Sequence, residues 1–533
     1  MTQYGSTMRA WCVRITLTCL VLLFAAMPSA WADIWSEVRE ADRQIEAWNY
    51  PAAKASVSAL RASEPQHPGV LYVSGKLRYH LGDYDTAVQE LETAVKNAPS
   101  RSMHAMRELI DRVRGTRDLV SHYERYVSPN GHFEIRHEAR DAMLMPLAAA
   151  TLEAAYYEVG FALGYWPEGP IRVEMYPKAK LLAVVSSLPE EAVKTTSTIG
   201  LCKYNKLMVT SPRGTVRGYG WLDTLAHEYV HLVISQKTEN RVPVWLHEGI
   251  AKYFERRWRG EQVSPLEPSR EDLLAERIEA NNLVPLAKMS PSIALLPTQE
   301  DASVSYAEVY TVIEFLVQRR GPQAVQLLLD AIAGGSTTEQ AFSELVGESW
   351  PAFERRWMRW LRDTRPTQRM PVKFDDRVML LDEQSGKDGE FAGVASPAAR
   401  DHLQLGELLR ARELSAAALQ EYRRAEAILG PVHPMVQNGA ARVLLEQGEA
   451  EAALEALQNA TRWFPSYYVS YLNRAAAYNQ LGRFEEALVA VGEALGINPF
   501  DPRVHEEHVR ALEGLGQQDA LDIARQNLQQ LQY

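Results

Sequence analysis

The chain has 533 residues, with 57 lysines and arginines against 68 aspartates and glutamates, a formal net charge of −11. Nucleic acid and anionic membrane surfaces would repel such a chain, so neither is an expected partner. A chain of about 500 residues exceeds what one hydrophobic core organises, and several domains are expected.

In chain order, Arg9 and Arg14 precede or border an apolar run over residues 15–27, followed by Pro28-Ser29-Ala30-Trp31-Ala32. A basic start, a short apolar run and an A-x-A site read as a secretory signal over residues 1–32, with the mature chain starting at Asp33. The expected location is therefore the periplasm or cell envelope. No later stretch reaches transmembrane length, so no membrane span is expected after signal removal. Loss of the signal removes Cys12 and Cys19 and leaves Cys202 alone. An internal disulfide is then impossible, and Cys202 reads as a small core residue rather than a nucleophile.

Residues 33–125 carry an internal repeat. Ala53 and Pro65 recur 34 residues later as Ala87 and Pro99, with Gly75, Gly82-Asp83-Tyr84 and Ala94 in the second copy. Small residues where paired helices cross, and a proline closing the unit, resemble the tetratricopeptide pattern.

Near Asn130-Gly131 the rhythm changes. Residues 132–137 alternate as a half-buried strand, and residues 171–176 and 206–210 read as two more. Helix-like stretches, 139–160 and 178–188, separate them. The third strand leads into residues 224–254, the stretch that carries the chemistry. His227 and His231 stand four apart, so a helix places both imidazoles on one face, where they can hold one metal ion. Glu228 follows the first ligand and is placed to reach a metal-activated water rather than the metal. A catalytic zinc takes three protein ligands. The third comes from the apolar run Trp245-Leu246-His247-Glu248-Gly249-Ile250-Ala251, which reads as a second buried helix after the turn at Thr238-Glu239-Asn240 and Pro243. His247 and Glu248 point about 100° apart on that helix, so only one of them can face the metal. Glu248 is the candidate.

HEYVH followed by WLHEGIAKYF resembles the gluzincin metallopeptidases, most closely the peptidase-MA-like group of bacterial envelope proteins. The resemblance implies one Zn²⁺ per chain held by His227, His231 and Glu248, with Glu228 as general base. It continues through Tyr306-Ala307-Glu308-Val309-Tyr310, Phe315-Leu316, Arg320-Gly321, Gly334-Gly335 and Ala341-Phe342, and covers residues 126–362. It also implies that the strand before the metal helix, residues 205–211, offers a free edge to an extended peptide. By the same resemblance Tyr306 would donate to the developing oxyanion; on its spacing alone, Tyr306 with Tyr310 is equally a packing pair. Two features depart from the family. The Gly-x-Met-Glu-Asn motif of the aminopeptidase branch is absent. Lys252 stands where some relatives carry an acid that orients a ligand histidine. Trp350, Phe353, Trp357, Trp360 and Leu361 form a stripe at helical spacing and read as core.

Residues 366–398, rich in proline, glycine and charge, read as a linker or partly ordered strap. The repeat then returns over residues 399–533: Gly448, Ala453, Ala460 and Pro465 recur 34 residues on as Gly482, Ala487, Ala494 and Pro499. A weaker unit carries Ala418 and Ala425, and a last one Gly516. Four helical pairs would form an array that folds by itself and holds a protein partner or extended peptide. The expected architecture is an α+β zincin-like metallopeptidase domain, residues 126–365, between two all-α tetratricopeptide-repeat regions, mostly helical overall. The expected function is a zinc-dependent peptidase of the cell envelope whose repeats recruit its peptide or protein substrate, or a partner. A repeat scaffold with a vestigial peptidase domain is the rival reading, and the intact HExxH with Glu248 favours the enzyme.

Overall fold

The computed structural model describes residues 29–98, 103–260, 265–365, 369–372, 374, 377–381, 391 and 393–532. Most of the predicted leader, residues 1–28, and the repeat proline Pro99 lie outside them. No helix of the described residues is long and apolar enough to cross a membrane.

The chain divides into two compact units at Arg117 and Asp118. The first is all helical: α1 (Ser29–Glu46), α2 (Tyr50–Ser63), α3 (Pro68–Leu81), α4 (Tyr84–Asn97) and most of α5 (Met103–Val120). The repeated small residues act as the pattern predicts. Ala53, Ala87 and Ala94 are fully buried, and a Cβ at Gly75 would lie 2.7 Å from Leu91. Gly82 ends α3 in the left-handed conformation, and the Asp83 side chain caps α4 by accepting from the amide of Thr86. The buried Lys76 ammonium bridges Asp42 at 2.6 Å and Glu46 at 2.5 Å, which satisfies a charge that burial would otherwise penalise.

The second unit opens with a five-stranded sheet in the order β1-β2-β3-β5-β4. Its strands are β1 (Glu124–Val127), β2 (Phe133–His137), β3 (Ile171–Tyr176), β4 (Gly200–Lys203) and β5 (Lys206–Thr210). The three central strands are parallel and the outer two antiparallel. All residues of β3 and β5 are buried, as expected of strands covered on both faces. Here the sequence reading needs correction. The strand before the metal helix, β5, is interior; the free edge belongs to β4, Gly200–Lys203, and not to residues 205–211. β4 and β5 form a hairpin whose two turn residues, Tyr204 and Asn205, both have positive φ (55° and 56°). That conformation matches the twist of a two-residue hairpin but is rare for tyrosine, so the turn carries no glycine signal.

Helix α6 (Met145–Leu163) covers the sheet beside α7 (Trp221–Thr238), which bears the HEYVH motif. A turn reverses the chain into α8 (Val244–Phe254). Then come α9 (Pro268–Glu279), α10 (Gln299–Arg320), α11 (Ala324–Ala333), α12 (Thr338–Val346) and α13 (Trp350–Thr364). Helices α8 and α10 pack closely because a Cβ at Gly249 would stand 2.6 Å from the carbonyl oxygen of Val309. In the aromatic stripe, Phe353, Trp357 and Leu361 are core, and the Trp357 indole donates to Thr311 at 3.0 Å.

The C-terminal array has four helical pairs: α14 (Pro397–Arg410) with α15 (Ser415–Leu429), α16 (Pro434–Glu446) with α17 (Ala450–Trp463), α18 (Tyr468–Gln480) with α19 (Phe484–Leu495), and α20 (Pro502–Leu515) with α21 (Gln518–Leu531). Ala453, Ala460, Ala487 and Ala494 are fully buried at the crossings. The segment predicted as a linker is not a free tether in its described parts. Val372 and Val394 belong to the array's hydrophobic core. Leu380 forms a bridge with Thr215, and the amides of Val216 and Leu381 donate to Met379 and Gly214, both at 2.9 Å, so the same segment also joins the half that carries the sheet.

Candidate metal centre

Helix α7 presents His227 and His231 on one face, and α8 brings Glu248 against them. Nε2 of each histidine lies 3.3 Å from Oε2 of Glu248. Among the described residues, these three form the one cluster whose donor atoms, all within 4.8 Å of one another, could hold a metal. Ligands about 2.0–2.1 Å from a tetrahedral zinc stand about 3.3 Å apart, so both histidine–glutamate separations fit that ion. The donor set of two imidazoles and one carboxylate also matches a catalytic rather than a structural site.

The far sides of both rings are held. Nδ1 of His227 lies 3.2 Å from Oε2 of Glu255, and Lys252 pairs with the other oxygen of that carboxylate. Glu255 supplies the acid that Lys252 could not. It sits seven residues after Glu248, two helical turns on, so it shares that face; this spacing was the missed signal. Nδ1 of His231 lies 2.8 Å from Nδ1 of His247, whose Nε2 is 3.4 Å from the Ser235 hydroxyl. His247 therefore orients a histidine and does not join the three donors.

Electrostatics follow the same division. Burial opposes the charge on Glu248, but His231 and His227 outweigh it and hold the carboxyl well below its usual range. Burial likewise opposes Glu255, and Lys252 and His227 bring it down to about 2. Burial also works against a charge on His227, yet its bonds to Glu248 and Glu255 push it up to about 10. His247 is pushed down to about 3 by burial and by His231 beside it, which keeps it neutral.

Glu228 differs from these. It is 5% exposed, and among the described residues its Oε2 has no hydrogen-bond partner. Burial pushes its carboxyl up. An unpartnered buried carboxylate oxygen next to three convergent donors is chemically able to accept a proton from a molecule bound beside them. Strand β4 lies directly over it: a Cβ on Gly200 would come within 2.4 Å of Glu228 Oε1. Cys202 on the same strand is half-buried, and burial together with Glu228 pushes its thiol up, so it stays protonated.

The structure separates the two tyrosines of α10. Tyr306 lines a cavity together with His227 and Glu228, and burial and the fields of Glu248 and Glu228 push its phenol up. Tyr310 packs on Tyr253, with ring centroids 5.8 Å apart, and feels Glu314 instead. Beyond the centre opens a cavity of about 900 Å³, lined by His227, Glu228 and Tyr306 from the half that carries the sheet and by His433, Tyr467 and Tyr471 from the C-terminal array.

Residues 167–363 match the sequence profile of the Peptidase MA superfamily. Residues 38–102 and 444–507 match tetratricopeptide-repeat profiles. A curated relative, the uncharacterized protein YhcO of Bacillus subtilis (strain 168), is 22% identical over 232 residues, which span 42% of this chain and 67% of that protein. Among solved structures, a MamA mutant aligns with 28% of this chain and 84% of its own at 18% identity and a TM-score of 0.21. The APC/C hetero-tetramer Cut9-Hcn1 aligns with 92% and 78% at 11% identity and a TM-score of 0.26. Likeness at such TM-scores carries no argument about the fold. By its profile matches, the chain carries a Peptidase MA superfamily domain flanked by N- and C-terminal tetratricopeptide repeats.

Proposed function

We propose that this chain is a zinc-dependent peptidase of the bacterial cell envelope, with repeats that recruit its substrate or a protein partner. The observation that carries the reading is the convergence of His227, His231 and Glu248 beside the unpartnered Oε2 of Glu228. The envelope location rests on the basic and then apolar leader, residues 1–32.

Zinc bound to the three donors would supply Lewis acidity, polarising the scissile carbonyl and acidifying water. The chain's own residues do the rest. Glu228, with its raised affinity for a proton, takes one from the attacking water on Oε2 and passes it to the leaving amide nitrogen. The Tyr306 phenol, kept protonated, donates a hydrogen bond to the oxygen on which charge develops, an interaction worth a few kcal/mol. Glu255 and His247 keep the two ligand rings in one orientation.

Strand β4 is suited to hold the substrate. The amide of Thr210 donates to Ile199 at 2.7 Å, so residues 199, 201 and 203 turn their backbone groups toward β5. The N–H and C=O of Gly200 and Cys202 then point to the free edge. An extended peptide added there would run directly past Glu228.

The test is zinc content and casein cleavage by the purified protein, with Glu228→Gln as control. We expect about one zinc per chain in both proteins, and cleavage by the wild type alone. Equal cleavage by Glu228→Gln would sink the mechanism. Metal-free, inactive wild-type protein would support the scaffold reading instead.

A further inference from the structure

The first amides of a helix have no partner within it, and neither do its last carbonyls. Helix α7 begins at Trp221, and its N-cap residue, Gly220, has no side chain with which to cap it. Donors at this end of α7 reach the repeat array, at the C-terminal end of α19. The amide of Tyr219 donates to Ile497 at 3.0 Å, the amide of Trp221 to Gly496 at 3.2 Å, and the indole Nε1 of Trp221 to Leu495 at 2.9 Å. Leu495 closes α19, Gly496 is its C-cap and Ile497 follows, so all three carbonyls lie at or just past the end of that helix. The positive end of one helix thus meets the negative end of the other.

The contact is close and reinforced. Gly218 has φ +75°, and a Cβ there would stand 2.1 Å from the Ile497 oxygen, so only glycine permits the approach. Asp223, in the first turn of α7, accepts from Arg259 at 2.9 Å, and Arg259 reaches Glu493 of α19 at 3.0 Å. Trp221 is 1% exposed. His227 follows it by six residues, about 9 Å along the same rigid helix.

Building on the peptidase reading, we propose that the C-terminal repeat array is a working part of the catalytic centre. The carbonyls of Leu495, Gly496 and Ile497, at the end of α19, set the position of the HEYVH helix, and Trp221 is the positioning residue through which they act. Trp221 touches no reacting atom. It fixes the end of the helix that carries His227, Glu228 and His231, and a catalytic constellation must be held to about 0.5 Å.

The full-length chain with Trp221→Phe tests this, because phenylalanine keeps an aromatic ring and loses the N–H donor. Four quantities are read: melting temperature, kcat and KM on a short peptide, zinc affinity by chelator competition, and the visible absorption spectrum of the Co²⁺-loaded protein. We expect kcat to fall about tenfold with KM nearly unchanged. Zinc affinity should weaken and the cobalt spectrum, which reports ligand geometry without turnover, should shift. A lower melting temperature with wild-type kcat, zinc affinity and cobalt spectrum would reduce Trp221 to a structural anchor and overturn the proposal. If Trp221→Phe does not fold, Glu493→Gln loosens Arg259 from the partly exposed side of the joint and is expected to shift the same readouts less; unchanged readouts there overturn it too. Should wild-type protein bind zinc yet cleave nothing, the peptidase reading fails alone, and zinc affinity and cobalt spectrum still decide the joint. Should it bind neither metal, both fall together.

Discussion

Nδ1 of His227 and Oε2 of Glu255 lie 3.2 Å apart, on the side of the ring opposite Glu248. With Nε2 turned to the metal donors, Nδ1 carries the proton and donates it to this carboxylate. Such a bond fixes the tautomer, the ring orientation and the basicity of the ligand nitrogen. Glu255→Gln should keep the fold and weaken zinc binding about 10- to 100-fold. Chelator competition measures this, and an unchanged affinity would remove Glu255 from the site.

The neighbours His247 and Glu248 give a paired prediction. Glu248 supplies a donor atom, whereas His247 reaches the site only through His231 at 2.8 Å. Glu248→Ala should lose the metal. His247→Ala should retain it with an affinity lowered by about tenfold, as for other supporting contacts. The reverse pattern of zinc retention would exchange their roles.

Gly200 tests the geometry over Glu228, the proposed general base. An added Cβ would meet Glu228 Oε1 at 2.4 Å and Thr224 at 3.0 Å. Gly200→Ala should therefore bind zinc normally while losing about tenfold or more in kcat, because displacing a base by a fraction of an ångström is enough to do so. Full turnover by this variant would show that β4 does not constrain the Glu228 carboxylate during the proposed reaction.

Glu308 gives a stability prediction with a definite sign. It is 1% exposed, and burial pushes its carboxyl from 4.5 up to about 8, although the Val284 amide, donating at 2.8 Å, pulls the other way. Between those two values the folded chain holds a proton that the unfolded chain has released. Stability therefore falls as pH rises from 4.5 to about 8. Glu308→Gln removes this term and can still accept from Val284. Its melting temperature should exceed wild type at pH 8 and differ little at pH 5. Parallel melting curves for the two proteins across that range would refute the assignment.

Some of this molecule is written locally in its sequence. The spacing of His227, Glu228 and His231 on one helix needs only the 3.6-residue period. The segments 171–176 and 206–210 became β3 and β5 with the same bounds, but the pairing of their buried polar residues, Lys206 with Glu174 at 2.6 Å, joins two strands and is not readable from either one alone. The 34-residue recurrence of alanines and glycines marked the repeats, because each unit must solve the same close crossing.

What the tertiary structure decided is where distant pieces meet. β4 has four half-buried residues and a Tyr204-Asn205 turn, so neither periodicity nor glycine announced the true sheet edge. Residues 366–398 looked like a tether because proline, glycine and charge favour loops; their valines were claimed by the array's core only once both halves were in place. The contact from Trp221 to Leu495 spans 274 residues. No local pattern encodes it, since an open helix end is satisfied equally by water, by a side chain or by another helix, and only the packed fold selects which.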